Sequence, residues 1–379
     1  MLISNIEVVP QRDHCELRAQ VSFETHWVWG DKPFDIWFRF PAQYSRFLSA
    51  DNGDPFVAAF LAPAMVLGES LQISAPVSVR LAKSIPTIQS VFHCWNEKLV
   101  KVAVVTPTRR QPVVATGGSS ATGLFYSLGA DSSYALVKNF ENHPNDEETI
   151  THLIVVEGYD VYLWESYRFP PMLERMTRVA AQYGKTVLPV TTNLREVTDR
   201  IADWVMVYHG AALATVALAL GSMFSRVHIS ASQTYARLIP RGAHPCLDPL
   251  WGTETLTFVH DGLEARRIDK IRYIARSPII VENLRVCATD EVTAAYNCGR
   301  CVKCLETMIG LHIAGVLDQS QTFPHEIDIE AVRQLSVSNR VILDQLKELL
   351  SDLGTSERDS VIRGALTDCI ERNERNATQ

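Results

Sequence analysis

The sequence predicts an α/β protein whose central part is a parallel sheet covered by helices on both faces, preceded by a smaller α+β unit. Three observations carry that expectation. From residue 121 onward, short β-branched runs alternate with segments of helical period, the pattern of strand–helix–strand units. An apolar run at residues 124–126 leads through a small-residue turn into a helix that opens on Asp131-Ser132-Ser133. Three cysteines, Cys298, Cys301 and Cys304, stand at Cys-x-x-Cys spacing, with Cys287 a short way upstream.

Bulk composition narrows the class. A chain of 379 residues has room for two domains, and 46% hydrophobic with 21% charged residues is globular composition. With 36 basic and 43 acidic residues, the formal charge of −7 gives no footprint for nonspecific nucleic-acid binding. The opening Met1-Leu2-Ile3-Ser4-Asn5 lacks the basic start of a signal peptide, and the longest apolar run, 211–221, is too short to span a bilayer. No membrane partner is expected, and the expected compartment is the cytoplasm. Eight cysteines, three of them clustered, point to metal rather than disulfides.

Residues 1–115 read as the α+β unit, suited to recognition or dimerisation. Segments 16–25 and 34–40 alternate polar and apolar as strands do, and 77–81 and 99–105 read as further strands. Residues 55–67 are helical if Pro63 only kinks them, and 85–95 form an amphipathic helix with Pro86 in its first turn. A linker is expected at 107–112 and a glycine loop at 116–120.

Residues 116–317 read as the α/β domain. Strands are expected at 154–156, 187–190 and 227–229, with helices at 170–183, 193–204 and 211–224. Ligands of such sheets sit at the carboxyl ends of the strands. That selects Ser127 to Ser133, then Glu157-Gly158-Tyr159-Asp160, then Thr191-Thr192-Asn193, then Ser230-Ala231-Ser232. Glu157 and Asp160 flank a glycine, a setting for a ribose or magnesium, or equally a solvated turn. His209-Gly210 either lets a nucleotide approach the following helix or packs it. The aperiodic segment 230–254, with Tyr235, His244, Asp248 and Trp251, reads as a loop folded over the sheet end where a substrate would lie. Residues 318–379 read as a helical extension, with 328–353 amphipathic, packing on the same chain or on a second subunit as a homodimer.

The turn at 127–133 has the makings of an anion site. A helix start leaves backbone N–H groups unpaired and carries partial positive charge. Gly129 permits close approach and positive φ, Ser127, Ser132 and Ser133 add hydroxyl donors, and Asp131 could cap the helix or hold a metal-bound water. An ordinary capped junction fits the same residues. The cysteine cluster is more specific: four thiolates with Gly299 in the turn can close around zinc as a zinc knuckle, an iron–sulfur cluster being the alternative.

The turn resembles the PP-loop of the ATP pyrophosphatases, Ser-Gly-Gly-x-Asp-Ser. Ser127, Gly129, Asp131 and Ser132 match, and Leu128 stands where the family usually has its first glycine. Together with Cys287, Cys298, Cys301 and Cys304, which resemble that family's zinc site, residues 121–308 resemble the QueC family, the 7-cyano-7-deazaguanine synthases of queuosine biosynthesis. The resemblance implies a PP-loop fold (HUP-like, adenine nucleotide α-hydrolase-like), with ATP, Mg2+ and Zn2+ as cofactors. It implies that Ser127, Leu128, Gly129, Ala130, Asp131, Ser132 and Ser133 surround the nucleotide phosphates. Ser127, Asp131, Ser132, Arg267 and Lys270 become the expected catalytic residues, and Arg267 with Asp269 fall at the family's Lys-x-Glu pattern.

The implied reaction is adenylation of a carboxylate such as 7-carboxy-7-deazaguanine, with loss of pyrophosphate. Ammonia or another amine then displaces AMP, so the implied partners are a small carboxylate and an amine donor, with a protein as a further candidate substrate. Arg195 is another expected cation for the phosphates, and Tyr159, Tyr235 and Trp251 are expected to stack a purine-like base. Two alternatives stand beside this: a sulfur-transfer PP-loop enzyme, and a nucleotide-binding module without turnover, suggested by Leu128. The N-terminal unit and the tail are foreign to the usual enzyme, and QueC-like proteins with added domains also occur in bacterial defence gene clusters.

Overall fold

The computed structural model describes residues 1–30, 32–107, 121–287, 296–337 and 340–377. Most of the expected linker, the glycine loop and the boundary at residue 115 lie outside the described residues. The first half runs β1 (Leu2–Pro10), β2 (His14–Ser22), α1 (His26–Trp29), β3 (Phe34–Pro41), α2 (Asp54–Leu67), β4 (Leu71–Ile73), α3 (Val79–Trp95) and β5 (Val104–Val105). Then follow β6 (Ala121–Phe125), α4 (Ala130–Asn142), β7 (His152–Glu157), α5 (Phe169–Gln182), β8 (Thr186–Thr192), α6 (Leu194–Thr198), α7 (His209–Ala219), β9 (Phe224–Ser230) and β10 (Thr257–Asp261). The chain ends in helices α8 (Arg267–Ile274), α9 (Pro278–Asn283), α10 (Val302–Ile313), α11 (Ile329–Gln334), α12 (Arg340–Asp352) and α13 (Glu357–Ala377).

All strands join one sheet in the order β10-β9-β6-β7-β8-β3-β2-β1-β4-β5. The wing from β10 to β8 is parallel throughout, β8 to β1 is antiparallel, and β4 and β5 add in parallel. In the parallel wing the order reverses between β6 and β9, and such a switch point opens a crevice at the carboxyl ends of the strands. Successive residues of one strand serve opposite faces: Ile154 and Val156 join the core beneath α2 and α7, while Leu153 and Val155 join the core beneath α4, α5 and the C-terminal helices. Helix α7 is buried on every side from Gly210 to Ala219, and its many alanines let α2 pack closely on it.

The seam between the wings is a finding of the structure. Only Phe38 and Arg39 of β3 pair with Thr192 and Thr191 of β8. The side chain of Asn193 extends this ladder, accepting the Trp37 N–H at 3.0 Å and donating to the Asp35 carbonyl at 2.8 Å. The Thr192 hydroxyl donates to the Trp37 carbonyl at 2.8 Å. Thr191 to Asn193, expected to face a ligand, thus bind the neighbouring strand.

Several element expectations are corrected. Residues 77–81 are not a strand: α3 begins at Val79 after Ser78, and the strand of that region is Leu71–Ile73. Pro86 accordingly lies inside α3 rather than in its first turn. Of 99–105 only Val104 and Val105 pair, and the helix expected to reach residue 204 stops at Thr198. Residues 284–286 are a loop, and the helical segment 328–353 is split into α11 and α12. Strands β4 and β10 lack a strong alternation and do not stand out in the sequence.

Candidate functional site

The turn after β6 departs from its expected backbone in one instructive way. The left-handed residue is Leu128, with φ +63°, while Gly129 sits at φ −75° as the N-cap of α4. A left-handed conformation costs an L-residue about 1–2 kcal/mol. Leu128 is held there from both ends: its side chain is buried in the core beneath α4, and its carbonyl accepts the Arg285 N–H at 2.9 Å. The serines brace the turn. The Ser127 N–H donates to Ser132 Oγ at 3.3 Å, the Ser132 hydroxyl donates to the Gly129 carbonyl at 3.2 Å, and the Gly129 N–H donates to Ser127 Oγ at 3.4 Å. Ser133 turns away to the Tyr126 hydroxyl. The N–H groups of Ala130, Asp131 and Ser132, in the first turn of α4, have no partner within the helix.

Asp131 holds the cations of the site. Its carboxylate lies 2.9 Å from Arg267 Nη2 and 3.2 Å from Lys270 Nζ, whose ammonium also donates to the Ala231 carbonyl at 2.7 Å. Burial pushes the Asp131 carboxyl up, but the charges of Arg267 and Lys270 outweigh it and hold it below the usual range. Glu306 of α10 is pushed the other way, burial raising its carboxyl. It stands 3.9 Å from Arg267 Nε, and neither Arg267 Nε nor Glu306 Oε1 has a hydrogen-bond partner. Asp131 thus pairs with both cations at the helix start, with Glu306 at the outer limit of an ion pair to Arg267.

A cavity of about 300 Å3 opens at the switch point, with Ser127, Gly129, Asp131 and Ser132 on its wall. Its wall includes the apolar and aromatic side chains Phe125, Ile154, Met172, Tyr159 and Trp204. The same wall carries Arg241, Arg285 and Lys303, cations that no local sequence pattern singles out because they come from loops and from α10. Arg241 donates to Ser232 Oγ at 3.0 Å, and the buried Ser230 hydroxyl on the wall has no partner. His209 also lines the cavity, with burial holding its imidazole below the ordinary range, and so does the exposed Asp160.

Other expected residues lie elsewhere. Glu157 is not on the wall and accepts from the Thr191 hydroxyl at 3.1 Å. Gly158, at φ +96°, is a turn glycine whose Cβ would stand 1.9 Å from the Thr192 carbonyl oxygen. Gly210 packs beneath Gly242 and Asp248, where a Cβ would meet oxygen at 2.4 and 2.7 Å, leaving no approach for a nucleotide. Arg195 is engaged by Asp199 and by the rings of Tyr162 and Trp204, and Asp269 pairs with Arg266. Tyr235 is 69% exposed and off the wall, whereas Trp251 is wholly buried, so neither stacks a base in the cavity. His244 is buried against Trp95, and Asp248 is wholly buried against His260. Residues 230–254 do fold over the sheet end, but they present Ser230, Ser232, Arg241 and Ala243 rather than the expected side chains.

The cysteine cluster is assembled as its spacing implied. The Sγ atoms of Cys287, Cys298, Cys301 and Cys304 all lie within 4.8 Å of one another, and Cys298 and Cys304 are 3.7 Å apart. The edge of a tetrahedron with Zn–S bonds of about 2.3 Å is about 3.8 Å. Gly299 takes φ +71° to form the knuckle, and the N–H groups of Arg300 and Cys301 donate to Cys298 Sγ at 3.5 and 3.3 Å. Asn297 secures the upstream arm, accepting the Val286 and Cys287 N–H groups at 2.9 and 3.1 Å. A hydrogen bond with Cys287 leads the factors raising Cys301 to about 11, and the same neighbour raises Cys304 further. Four such thiols ionise together only around a cation, so the set could hold a metal such as zinc, with all four positions filled.

No protein-family model, curated protein or solved structure matches the chain. Among the described residues no helix is long and apolar enough to cross a membrane.

Proposed function

We propose that the chain is an ATP-dependent ligase that adenylates a flat carboxylic acid and passes the acyl group to an amine. The observation that carries this reading is the cavity's lining: the turn, whose first N–H groups have no partner within α4, shares one wall with the cations Arg241, Arg285 and Lys303 and with the aromatic rings of Phe125, Tyr159 and Trp204. In the first step a carboxylate oxygen attacks the α-phosphate of ATP and pyrophosphate leaves. The turn, with Arg241 and Lys303 on the cavity wall, is suited to neutralise the charge gathering on that leaving group, while Arg267 and Lys270 lie off that wall, paired with Asp131. Magnesium would arrive with the nucleotide; among the described residues Asp160 is a wall carboxylate without an ion pair. In the second step an amine displaces AMP.

The acid is proposed as 7-carboxy-7-deazaguanine or a close analogue, on the resemblance of the turn and the cysteines to the QueC family. Zinc is proposed for the cysteine cluster as a structural clamp; metal analysis should return about one zinc per chain, and stoichiometric iron with sulfide would refute it. The sulfur-transfer alternative is disfavoured, because no cysteine is among the described residues of the cavity wall. The deciding experiment is ATP–pyrophosphate exchange with 7-carboxy-7-deazaguanine. Exchange that needs the acid supports ligase chemistry; ATP binding without exchange leaves the binding-module reading.

A further inference from the structure

We propose that His260 is the general base of the amine step, with Asp248 as its positioning residue; this rests on the adenylation reading above. Asp248 is wholly buried, and its Oδ2 stands 2.6 Å from His260 Nδ1. A buried carboxylate is retained only with partners, and here these are His260 and the His244 N–H at 3.3 Å. A carboxylate accepts only, so Nδ1 carries the proton and the lone pair of the neutral imidazole falls on Nε2. The ring lines the same cavity as Ser127, Gly129 and Asp131, and among the described residues Nε2 has no hydrogen-bond partner.

A simple staple between loop and strand would explain the Asp248 bond but not the ring's place on the cavity wall. Sheet register supplies that place. His260 of β10 pairs with Ile229 of β9, and His228 pairs with Leu124 of β6. Phe125, Ile229 and His260 therefore form one row at the carboxyl ends of three adjacent strands. The row spans two strand spacings, roughly 10 Å. The turn follows Phe125 at one end of this row and the imidazole stands at the other, so an α-phosphate, an acyl carbon and an amine held in the cavity would lie between them.

The step balances. The neutral amine nitrogen attacks the acyl carbon, the C–N bond forms, and the bond from that carbon to the AMP oxygen breaks with its electron pair leaving on AMP. One proton passes from the nitrogen to His260 Nε2 and then to solvent. An amine that gains positive charge on attack needs this base, whereas the adenylation step does not.

The test uses the full chain with Mg–ATP and 7-carboxy-7-deazaguanine, comparing ammonium with hydroxylamine, which traps adenylates without base assistance. For His260→Gln, hydroxamate formation should stay within about three-fold of wild type while product formation with ammonia falls about a hundred-fold. Asp248→Asn should lower kcat for ammonia about ten-fold at unchanged KM, and it decides the matter if His260→Gln does not fold. Equal losses with both nucleophiles, or no loss with ammonia, would overturn the base. A wild-type chain that makes no hydroxamate at all removes the adenylation reading and this proposal together.

Discussion

Glu16 in the antiparallel wing and Asp131 in the parallel wing are each a carboxylate between two cations, but the cations of the first stand in water and those of the second do not. The Glu16 side chain is 2% exposed while its partners Arg18 and Arg39 are 42% and 44% exposed, so the acid is inside and the cations are in water. Asp131 is 20% exposed and Arg267 and Lys270 are 17% and 2% exposed, so acid and cations alike are withdrawn from water. Water finishes the neutralisation of the first group. The second group has little water about it and Glu306, 3.9 Å from Arg267 Nε, as a further acid. An antiparallel wing with one wet face can hold ion pairs as surface fittings. A parallel wing covered on both faces concentrates its unpaired polar groups at the strand ends.

The largest expected effect comes from removing the Asp131 charge. Asp131→Asn leaves two buried cations without their anion, a loss of about 3 kcal/mol in unfolding free energy. The same change should make the site hungrier for anions, so pyrophosphate should raise the thermal midpoint of the variant more than that of wild type. A smaller pyrophosphate shift in the variant would mean that Arg267 and Lys270 serve the fold alone.

A middle effect is expected at Leu128, whose strain and burial oppose each other. Leu128→Gly relieves about 1–2 kcal/mol of backbone strain but removes a buried leucine worth about 2–5 kcal/mol. The net expectation is a loss of about 2 kcal/mol by denaturant unfolding, with the pyrophosphate shift retained. A stabilised variant would show that the apolar contact of Leu128 contributes little, and a lost shift would show that the leucine shapes the anion site.

What was legible in the sequence follows from how local each signal is. The strand–turn–helix at 121–142 and the grouping of the four cysteines depend on neighbours in the chain, and the structure has both. The left-handed residue was misplaced onto Gly129, since sequence favours glycine there and only tertiary packing forces Leu128 to accept it. Strand β10 went unseen because Thr257-Phe258-Val259-His260-Asp261 carries no clean alternation, and with it went His260. Arg241, Arg285 and Lys303 come together only through topology. Thr191 to Asn193 were misassigned because nothing local announces that a second wing will dock on β8.

The smallest effect, at Glu16, tests whether the contrast between the wings is real. Burial pushes the Glu16 carboxyl up, but hydrogen bonds from Arg39 and Arg18 outweigh it, so its folded pKa lies below the ordinary value. A depressed carboxyl contributes stability above its unfolded pKa and loses it as pH falls through the folded one. Glu16→Gln should therefore destabilise the protein near neutral pH and converge with wild type in acid. The size should be about 1 kcal/mol, because the arginines left behind are solvated rather than buried. Thermal midpoints of both proteins between neutral and acid pH measure this, and the pyrophosphate shift should be the same in each. If Glu16→Gln instead matched Asp131→Asn in size, or altered the pyrophosphate shift, the antiparallel wing would be coupled to the cavity across the Asn193 seam, and the two ion clusters would form one electrostatic unit.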